Sequence, residues 1–330
     1  MNKCPHKSIL TSLCALYAIA LASWFGLEAA TGDRLWWVAF LSDLALALML
    51  PLPVPLLLAL WRRRWAALAV LVIPILLGLW LFGAQFLPGR ACAPQPGEHP
   101  IGAMTLNVLY TNRDFAALAS AIRTANPDVV GLQEVTPKII AGLVAELATE
   151  YPYYAVALPP SGSGVLLLSR HPITSSAPFA LPPRQAALHA EVQVQGAPLH
   201  VLVAHLVPSR KFSGPLIDQP ATQRAFVATR AGEVTAIEHE VRTIDGPLLL
   251  LCDCNMSDTG PAHARMRTFL RDSFAEVGWG LGLTQLQSGW LPVQRIDYVW
   301  FAGNLVPLTA ATRPAPGTDH RLVLTQFVRR

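Results

Sequence analysis

The sequence predicts an α/β domain of two packed β-sheets with helices on their outer faces, carried behind a group of membrane-spanning helices. Three observations lead there. The first 87 residues hold three long apolar stretches. The remainder alternates strand-like and helix-like segments before strands dominate. Leu248–Leu251, entered from Gly246-Pro247, reads as a strand buried on both faces. The chain has 330 residues, 52% of them hydrophobic and only 14% charged. Soluble domains carry charge on about a quarter of their residues, so a large part of this chain is built for an environment other than water.

The apolar excess is N-terminal. Spans are predicted at about 9–28, 35–60 and 66–87, each near the roughly 20 residues that match a hydrocarbon core. The second holds one acid, Asp43; the third holds no charge. Six of the nine tryptophans fall in this region, and Trp24, Trp36, Trp37, Trp61 and Trp65 lie near predicted span ends, where amphipathic rings settle. Lys3 and Lys7 precede the first span, and Arg62-Arg63-Arg64 separates the second from the third. Positive charge stays on the cytoplasmic side, so a multi-pass protein of the cytoplasmic membrane is expected, with everything after Leu87 outside. Pro51, Pro53 and Pro55 are expected to kink the second span, or to fold it into a re-entrant hairpin that would leave the C-terminal part inside. Two further spans and the lack of a convincing cleavage site argue against a signal peptide.

Residues 88–100 read as a Pro/Gly-rich linker to a domain covering 101–330. From residue 91 onward 18 Lys+Arg meet 18 Asp+Glu, so this domain is formally neutral. Nucleic-acid binders normally carry a basic stripe, and a nucleic-acid partner is therefore not favoured.

Within the domain, Gly102–Val108 reads as a strand, followed by a helix over about Asp114–Thr124. Asp128–Leu132 is a second strand running into Gln133-Glu134; Thr136-Pro137 then caps a helix to about Glu150. Tyr153–Ala157 and Gly164–Ser169 read as short strands, and Ala187–Val194 with Leu199–His205 as a hairpin. A long loop, Leu206–Pro220, contains Arg210 and Lys211; a helix over about Ala221–Arg242 leads into the leucine strand. The last strands are expected at Arg295–Phe301, Leu305–Thr312 and Leu322–Val328. Cys252 and Cys254 flank Asp253. A bridge between strand residues two apart is geometrically strained, and no second cysteine pair completes a zinc site, so buried thiols are expected.

Polar residues recur at the ends of these apolar segments: Asn107, Glu134, His205, Asp253, Asn255, Asp297, Asp319 and His320. Singly, each has an ordinary reading as a turn former or cap. Eight of them at strand ends point to one cleft, because ligands of layered α/β folds collect outside strand termini. A carboxylate beside a carboxamide, as in Asp253 and Asn255, suits phosphate chemistry: one group takes a proton from water or binds a metal, the other donates to a phosphate oxygen. His171, His189 and His200 sit in no such pattern.

The ordered set Met104–Tyr110, Gly131-Leu132-Gln133-Glu134, Gly164–Arg170, Ala204-His205-Leu206, Cys252-Asp253-Cys254-Asn255, Arg295-Ile296-Asp297-Tyr298 and Thr318-Asp319-His320-Arg321 resembles the endonuclease/exonuclease/phosphatase (DNase I-like) superfamily. The likeness covers residues 101 to 330, and the preceding spans make the chain most similar to its bacterial membrane-anchored members. The resemblance implies a four-layer αββα sandwich and a divalent metal, Mg²⁺ or Mn²⁺. Carried over by motif, Glu134 is the principal metal ligand, with Asn107 beside it and Asp319 assisting. Asp253 activates the attacking water and Asn255 holds a phosphate oxygen. His205 and His320 stabilise developing charge or protonate the leaving oxygen, and Asp297 orients a histidine. The chain departs from the family in placing Cys252 where glycine is usual and Cys254 where an apolar residue is usual. A membrane-anchored phosphoric ester hydrolase follows, leaning to a lipid-linked phosphate ester at the outer membrane face. The competing expectations are an extracytoplasmic nuclease or nucleotide hydrolase and a non-catalytic membrane sensor on the same fold.

Overall fold

The computed structural model describes residues 6–87, 91–159, 162–182, 185–208 and 219–330. Lys3, Cys4, Arg210 and Lys211 lie outside the described residues. The N-terminal part contains α1 (His6–Thr31), α2 (Trp36–Asp43), α3 (Ala45–Met49), α4 (Pro53–Trp61) and α5 (Trp65–Phe82). Two segments, Ile9–Thr31 and Trp65–Phe86, are long and apolar enough to cross a membrane. The expected middle span is not one straight helix: Trp36–Asp43 and Ala45–Trp61 meet at 72°. The prolines do not make this bend. It falls at Asp43-Leu44, where Leu44 leaves helical geometry (φ −102°, ψ 11°). There the domain competes for the polar groups, with Thr259 donating to the Ser42 carbonyl and Gln294 to that of Asp43.

The bent segment joins opposite ends of the bundle. Cys14 of α1 packs with Ala59 of α4 and with Ala67 and Leu71 of α5, whereas Leu21 and Trp24 pack with Val38, Ala45 and Leu77. Trp24, expected at an interface, is instead 2% exposed and donates to Ser42. Trp37, Trp61, Trp65 and Trp80 are the exposed tryptophan rings of this part.

The domain follows as β1 (Ile101–Asn107), α6 (Phe115–Ala125), β2 (Val129–Val135), α7 (Pro137–Leu147), β3 (Tyr153–Ala157), β4 (Gly164–Ser169), β5 (Ile173–Leu181), β6 (Gln185–Val194) and β7 (Ala197–His205). Then come α8 (Gln219–Arg242), β8 (Leu248–Asp253), α9 (Pro261–Met266), β9 (Arg271–Asp272), α10 (Ser273–Val277), β10 (Gln285–Gln287), β11 (Leu291–Gln294), β12 (Asp297–Ala302), β13 (Leu305–Pro314) and β14 (Arg321–Arg329). Two six-stranded sheets form, ordered β13-β14-β1-β2-β4-β3 and β5-β6-β7-β8-β12-β9, with a separate β10-β11 pair.

Alternation decides the layers. Ile101, Ala103, Val129 and Leu167 of one sheet face Val201, Val203, Leu249 and Leu251 of the other across the central core. Met104, Leu106 and Leu132 point the other way, onto Leu118 and Ile122 of α6 and onto Ile139 and Leu143 of α7. Leu248, Leu250 and Trp300 point outward onto Val234 and Ile237 of α8 and Met266 of α9. The expected four-layer αββα sandwich results, with Leu248–Leu251 buried on both faces of its sheet.

Residues 91–100 do not hang free. The Cys92 amide donates to the Leu308 carbonyl, Gln195 to the His99 carbonyl, and Arg330 to Glu98.

Candidate functional site

Six strand ends converge at one edge of the sandwich. Asn107 ends β1 and pairs in register with Gln133 of the parallel β2. His205 ends β7 opposite Asp253, the last residue of β8. Asp297 opens the antiparallel β12 opposite the same Asp253, and His320 immediately precedes β14. Parallel pairs bring ends together, and antiparallel pairs bring a start to an end.

Glu134 reaches the site through a bulge. Gln133 pairs with Val165 and Val135 with Gly164, so Glu134 is unpaired in the ladder; its φ is +59°. An extra residue in one strand re-aims a side chain, at the expense of a left-handed backbone. Leu109 (φ 63°) and Asn255 (φ 47°) share that geometry, and all three line one cavity of about 560 Å³.

Asn107 is the hub. Its Nδ2 donates to Glu134 Oε1 at 3.1 Å and to Asp253 Oδ2 at 2.9 Å, and its Oδ1 accepts from the Leu109 amide at 3.0 Å. Glu134 Oε2 also accepts from the Tyr110 amide at 3.1 Å. Asp253 Oδ1 accepts from the Asn255 amide at 3.1 Å, and the Asn255 side chain donates to the Leu206 carbonyl at 2.9 Å. His205 Nε2 stands 3.5 Å from Asp253 Oδ2, and His320 Nε2 stands 3.9 Å from it. His320 Nδ1 meets Asp297 Oδ2 at 2.8 Å. Asp319 lines the same cavity. All eight polar residues singled out in the sequence therefore gather at this edge.

Burial opposes a charge on His320, but Asp297 and Asp253 outweigh it, and the imidazolium is held up to about 10. Burial raises the Asp297 carboxyl and the Asp253 charge adds to this, against the pull of His320. Asp297 anchors the Nδ1 side of the ring, which turns Nε2 toward Asp253.

Several supports had no signal in the strand pattern. Thr284 Oγ1 accepts from the Ile296 and Asp297 amides, and Thr318 Oγ1 donates to the Asn107 carbonyl while accepting from the His320 amide. Asp43 also lines the cavity; its signal was visible, since it is the one acid in the second apolar stretch. Cys252 and Cys254, expected as buried thiols, form a disulfide with Cα atoms 5.2 Å apart. The chain turns at the end of β8 and brings those atoms into bridging range, which an extended strand would not.

The model of the Endonuclease/Exonuclease/phosphatase family matches residues 104–320. No curated protein matches the sequence significantly. Among solved structures, the endonuclease/exonuclease/phosphatase from Beutenbergia cavernae is similar with TM-score 0.55 and 19% identity over 70% of this chain and 72% of that one. The corresponding protein from Bacteroides vulgatus gives TM-score 0.59 and 16% identity over 70% of this chain and 100% of that one. Humanized D. rerio TDP2 gives 0.54 and 17% over 69% and 98%. At these identities the likeness is one of fold.

Proposed function

Because this chain belongs to the endonuclease/exonuclease/phosphatase family, we propose that it is a membrane-anchored, divalent-metal-dependent phosphoric ester hydrolase acting on a lipid-linked phosphate ester or pyrophosphate. The single observation that carries this reading is the Asn107 amide, which donates at once to Glu134 and Asp253 and so ties carboxylates of the two sheets into one floor.

The donor set fits a hard cation. Glu134 and Asp319 offer carboxylate oxygens on one cavity lining, as Mg²⁺ or Mn²⁺ requires; Asn107 would join them only with its amide turned over, since its oxygen faces the Leu109 amide and its Nδ2 the two carboxylates. A second grouping, Asp253, Asp297 and His320, has ligand atoms within 4.8 Å of one another. There His320 Nδ1 is held by Asp297, which leaves only Nε2 to face an ion, whereas the Glu134 side offers carboxylate oxygens alone, the harder donor set. When bound there, the ion supplies positive charge against the phosphate and acidifies water.

The side chains supply the rest. Asp253, fixed by Asn107 and the Asn255 amide, takes the proton of the attacking water as the new P–O bond forms. The Asn255 carboxamide and His205 hold phosphate oxygens. His320, oriented by Asp297, offsets the charge that builds up and gives its Nε2 proton to the leaving oxygen as the old P–O bond breaks.

The anchor and the neutral domain support a lipid-linked substrate over a polyanion. Three crossings are supported by the bent segment, whose start packs near the end of α5 and whose end packs near the start of α1. Arg62–Arg64 then lies at the bundle end away from the domain, and the domain faces outward.

The test is turnover of the detergent-purified chain with Mg²⁺ against a polyprenyl pyrophosphate, a phosphodiester lipid and DNA. Lipid turnover is expected, and Asp253→Asn should lower kcat by roughly 10²–10⁴-fold with the fold retained. Rapid DNA cleavage without lipid turnover makes the chain a nuclease, and folded protein with no turnover and no metal affinity makes it a binding module.

A further inference from the structure

We propose that the bent segment over residues 36–61 is a wall of the active site rather than only an anchor, and that Phe40, Leu44, Leu46 and Ala47 form a subsite for the apolar chain of the phosphate ester. This rests on the hydrolase reading and assigns its chain-binding residues.

The site cavity has two unlike walls. One carries Asn107, Glu134, Asp253 and His320; the other, from the bent segment, is Phe40, Leu44, Leu46 and Ala47 with Asp43 as its one polar member, and Gln285, Gln287 and Gln294 also line the cavity. A phosphate with a polar remainder would leave the second wall in contact with polar groups it cannot pair. A phosphate with one extended hydrocarbon chain satisfies both walls, the head at Asp253 and the chain along the helix.

The wall is docked. Asp43 Oδ1 accepts from the Ser257 amide at 3.3 Å, two residues past Asn255, and Asp43 Oδ2 lies 3.3 Å from Arg230 Nη1. Thr259 Oγ1 donates to the Ser42 carbonyl at 2.6 Å. Arg230 is only 5% exposed, so its charge is buried against Asp43. The bend therefore sits on the loop that follows Asp253–Asn255, and the wall keeps register with the reacting groups.

The wall also continues toward the bilayer. Ala47, Leu50, Val54, Leu57 and Trp61 follow at steps of three, four, three and four residues, one face of a helix. Backbone angles stay helical at Leu50 (φ −53°) and Leu52 (φ −52°), while the Leu52 and Val54 amides donate three residues back, to Met49 and Pro51, so one tightened turn joins α3 to α4. Leu50, Val54, Leu57 and Trp61 are 69%, 62%, 65% and 77% exposed. A chain leaving the cavity at Ala47 meets these exposed apolar side chains next.

Ala47→Trp fills the wall from an exposed position. In nanodiscs with Mg²⁺, binding of a long-chain alkyl phosphonate and of methyl phosphonate is measured by phosphorus NMR for wild type and variant. Partition of the long chain into the disc is common to both proteins and cancels in their ratio. The variant should bind the long-chain probe roughly tenfold more weakly, the loss of about two methylene contacts, and methyl phosphonate unchanged. Leu46→Asn, a smaller change in the same wall, should shift the same probe in the same direction. Equal effects on both probes, or none on either, overturn the subsite. Turnover of a soluble phosphoester with no chain effect leaves the hydrolase reading standing without the subsite. The chain effect without any turnover leaves the subsite and removes hydrolysis.

Discussion

Asn107 spends both hydrogens of one amide on carboxylates from opposite sheets, while its oxygen is taken by the backbone of Leu109. That fixes which way the amide points and holds two like charges close without direct contact. A second residue, outside the cavity lining, holds the approach to it. Glu233 of α8 is fully buried and accepts from the Val207 amide with both oxygens, at 3.0 and 3.2 Å, two residues beyond His205. Burial raises its carboxyl to about 7, against the pull of that amide and of Arg230. A carboxyl raised on folding contributes stability below its unfolded value near 4.5, and that contribution is lost as pH rises through about 7. Glu233→Gln keeps an acceptor for Val207 and removes the proton. Melting temperatures of the two proteins should therefore converge at low pH and separate toward pH 7, the wild type losing on the order of 3 kcal/mol over that window. Parallel curves would assign the pH response elsewhere. At this scale the eight polar residues were legible because a charged or amide group closing an apolar run costs free energy unless it serves something. Thr284 and Thr318 were not, because a hydroxyl in a loop has too many ordinary uses to stand out.

Strands became legible where both faces are buried or the alternation is clean, as in Leu248–Leu251 and the pair β6 and β7. Strand β5 escaped because most of its residues are exposed and it carries no apolar alternation. Strands β9, β10 and β11, of two to four residues, are too short for any period to show. The helix predicted to Glu150 stops at Leu147, a boundary that fraying alone explains. The bulge that aims Glu134 is invisible in composition, since pairing on both sides of it decides the matter. Gly131, one turn of the pleat earlier in β2, shows how narrow the tolerance is. A Cβ there would meet Leu251 Cβ at 2.6 Å and Val203 Cγ1 at 3.2 Å, both on the opposite sheet. Gln133, two residues on, donates to the Leu251 carbonyl across the same gap. Gly131→Ala should therefore cost about 1–3 kcal/mol of stability by pushing the sheets apart. Activity should fall further than stability, because Glu134 rides on one sheet and Asp253 on the other. A denaturation midpoint and a kcat on the same preparation check both halves; unchanged kcat in a destabilised protein would show that the floor tolerates the shift.

The whole molecule couples its apolar N-terminal helices to the candidate site through a few polar groups set in apolar surroundings. Asp43 meets Arg230 and Ser257, and Gln85, just beyond α5, donates to Asp258 at 3.0 Å. Asp258 in turn holds Arg295, which also pairs with Asp272 at 2.7 Å. Arg295 opens the segment that ends in Asp297, so the anchor, the loop after Asp253 and the start of β12 share one buried charge network. Burial opposes the charge on Arg295, but Asp272 and Asp258 outweigh it and hold the guanidinium charged. Hydropathy revealed three apolar stretches but not the bend, because the bend is set by what Asp43 finds on the domain, two hundred residues away in sequence. Sidedness follows from this coupling. The domain docks at the end of the bundle opposite Arg62–Arg64, and the proposed orientation, with that positive charge inside, would place the domain outside. Cys92 reports on it directly: the residue is exposed, between the bundle and β1, whereas Cys14 is buried and Cys252 and Cys254 are bridged. A membrane-impermeant maleimide added to intact cells should label the wild type and lose most of its signal in Cys92→Ser. Labelling that appears only after the cells are opened would reverse the orientation and make the bent segment a re-entrant hairpin. The contacts of Asp43 with Arg230 and Ser257 beside the candidate site would survive that reversal, since they belong to the fold and not to the side of the membrane it faces.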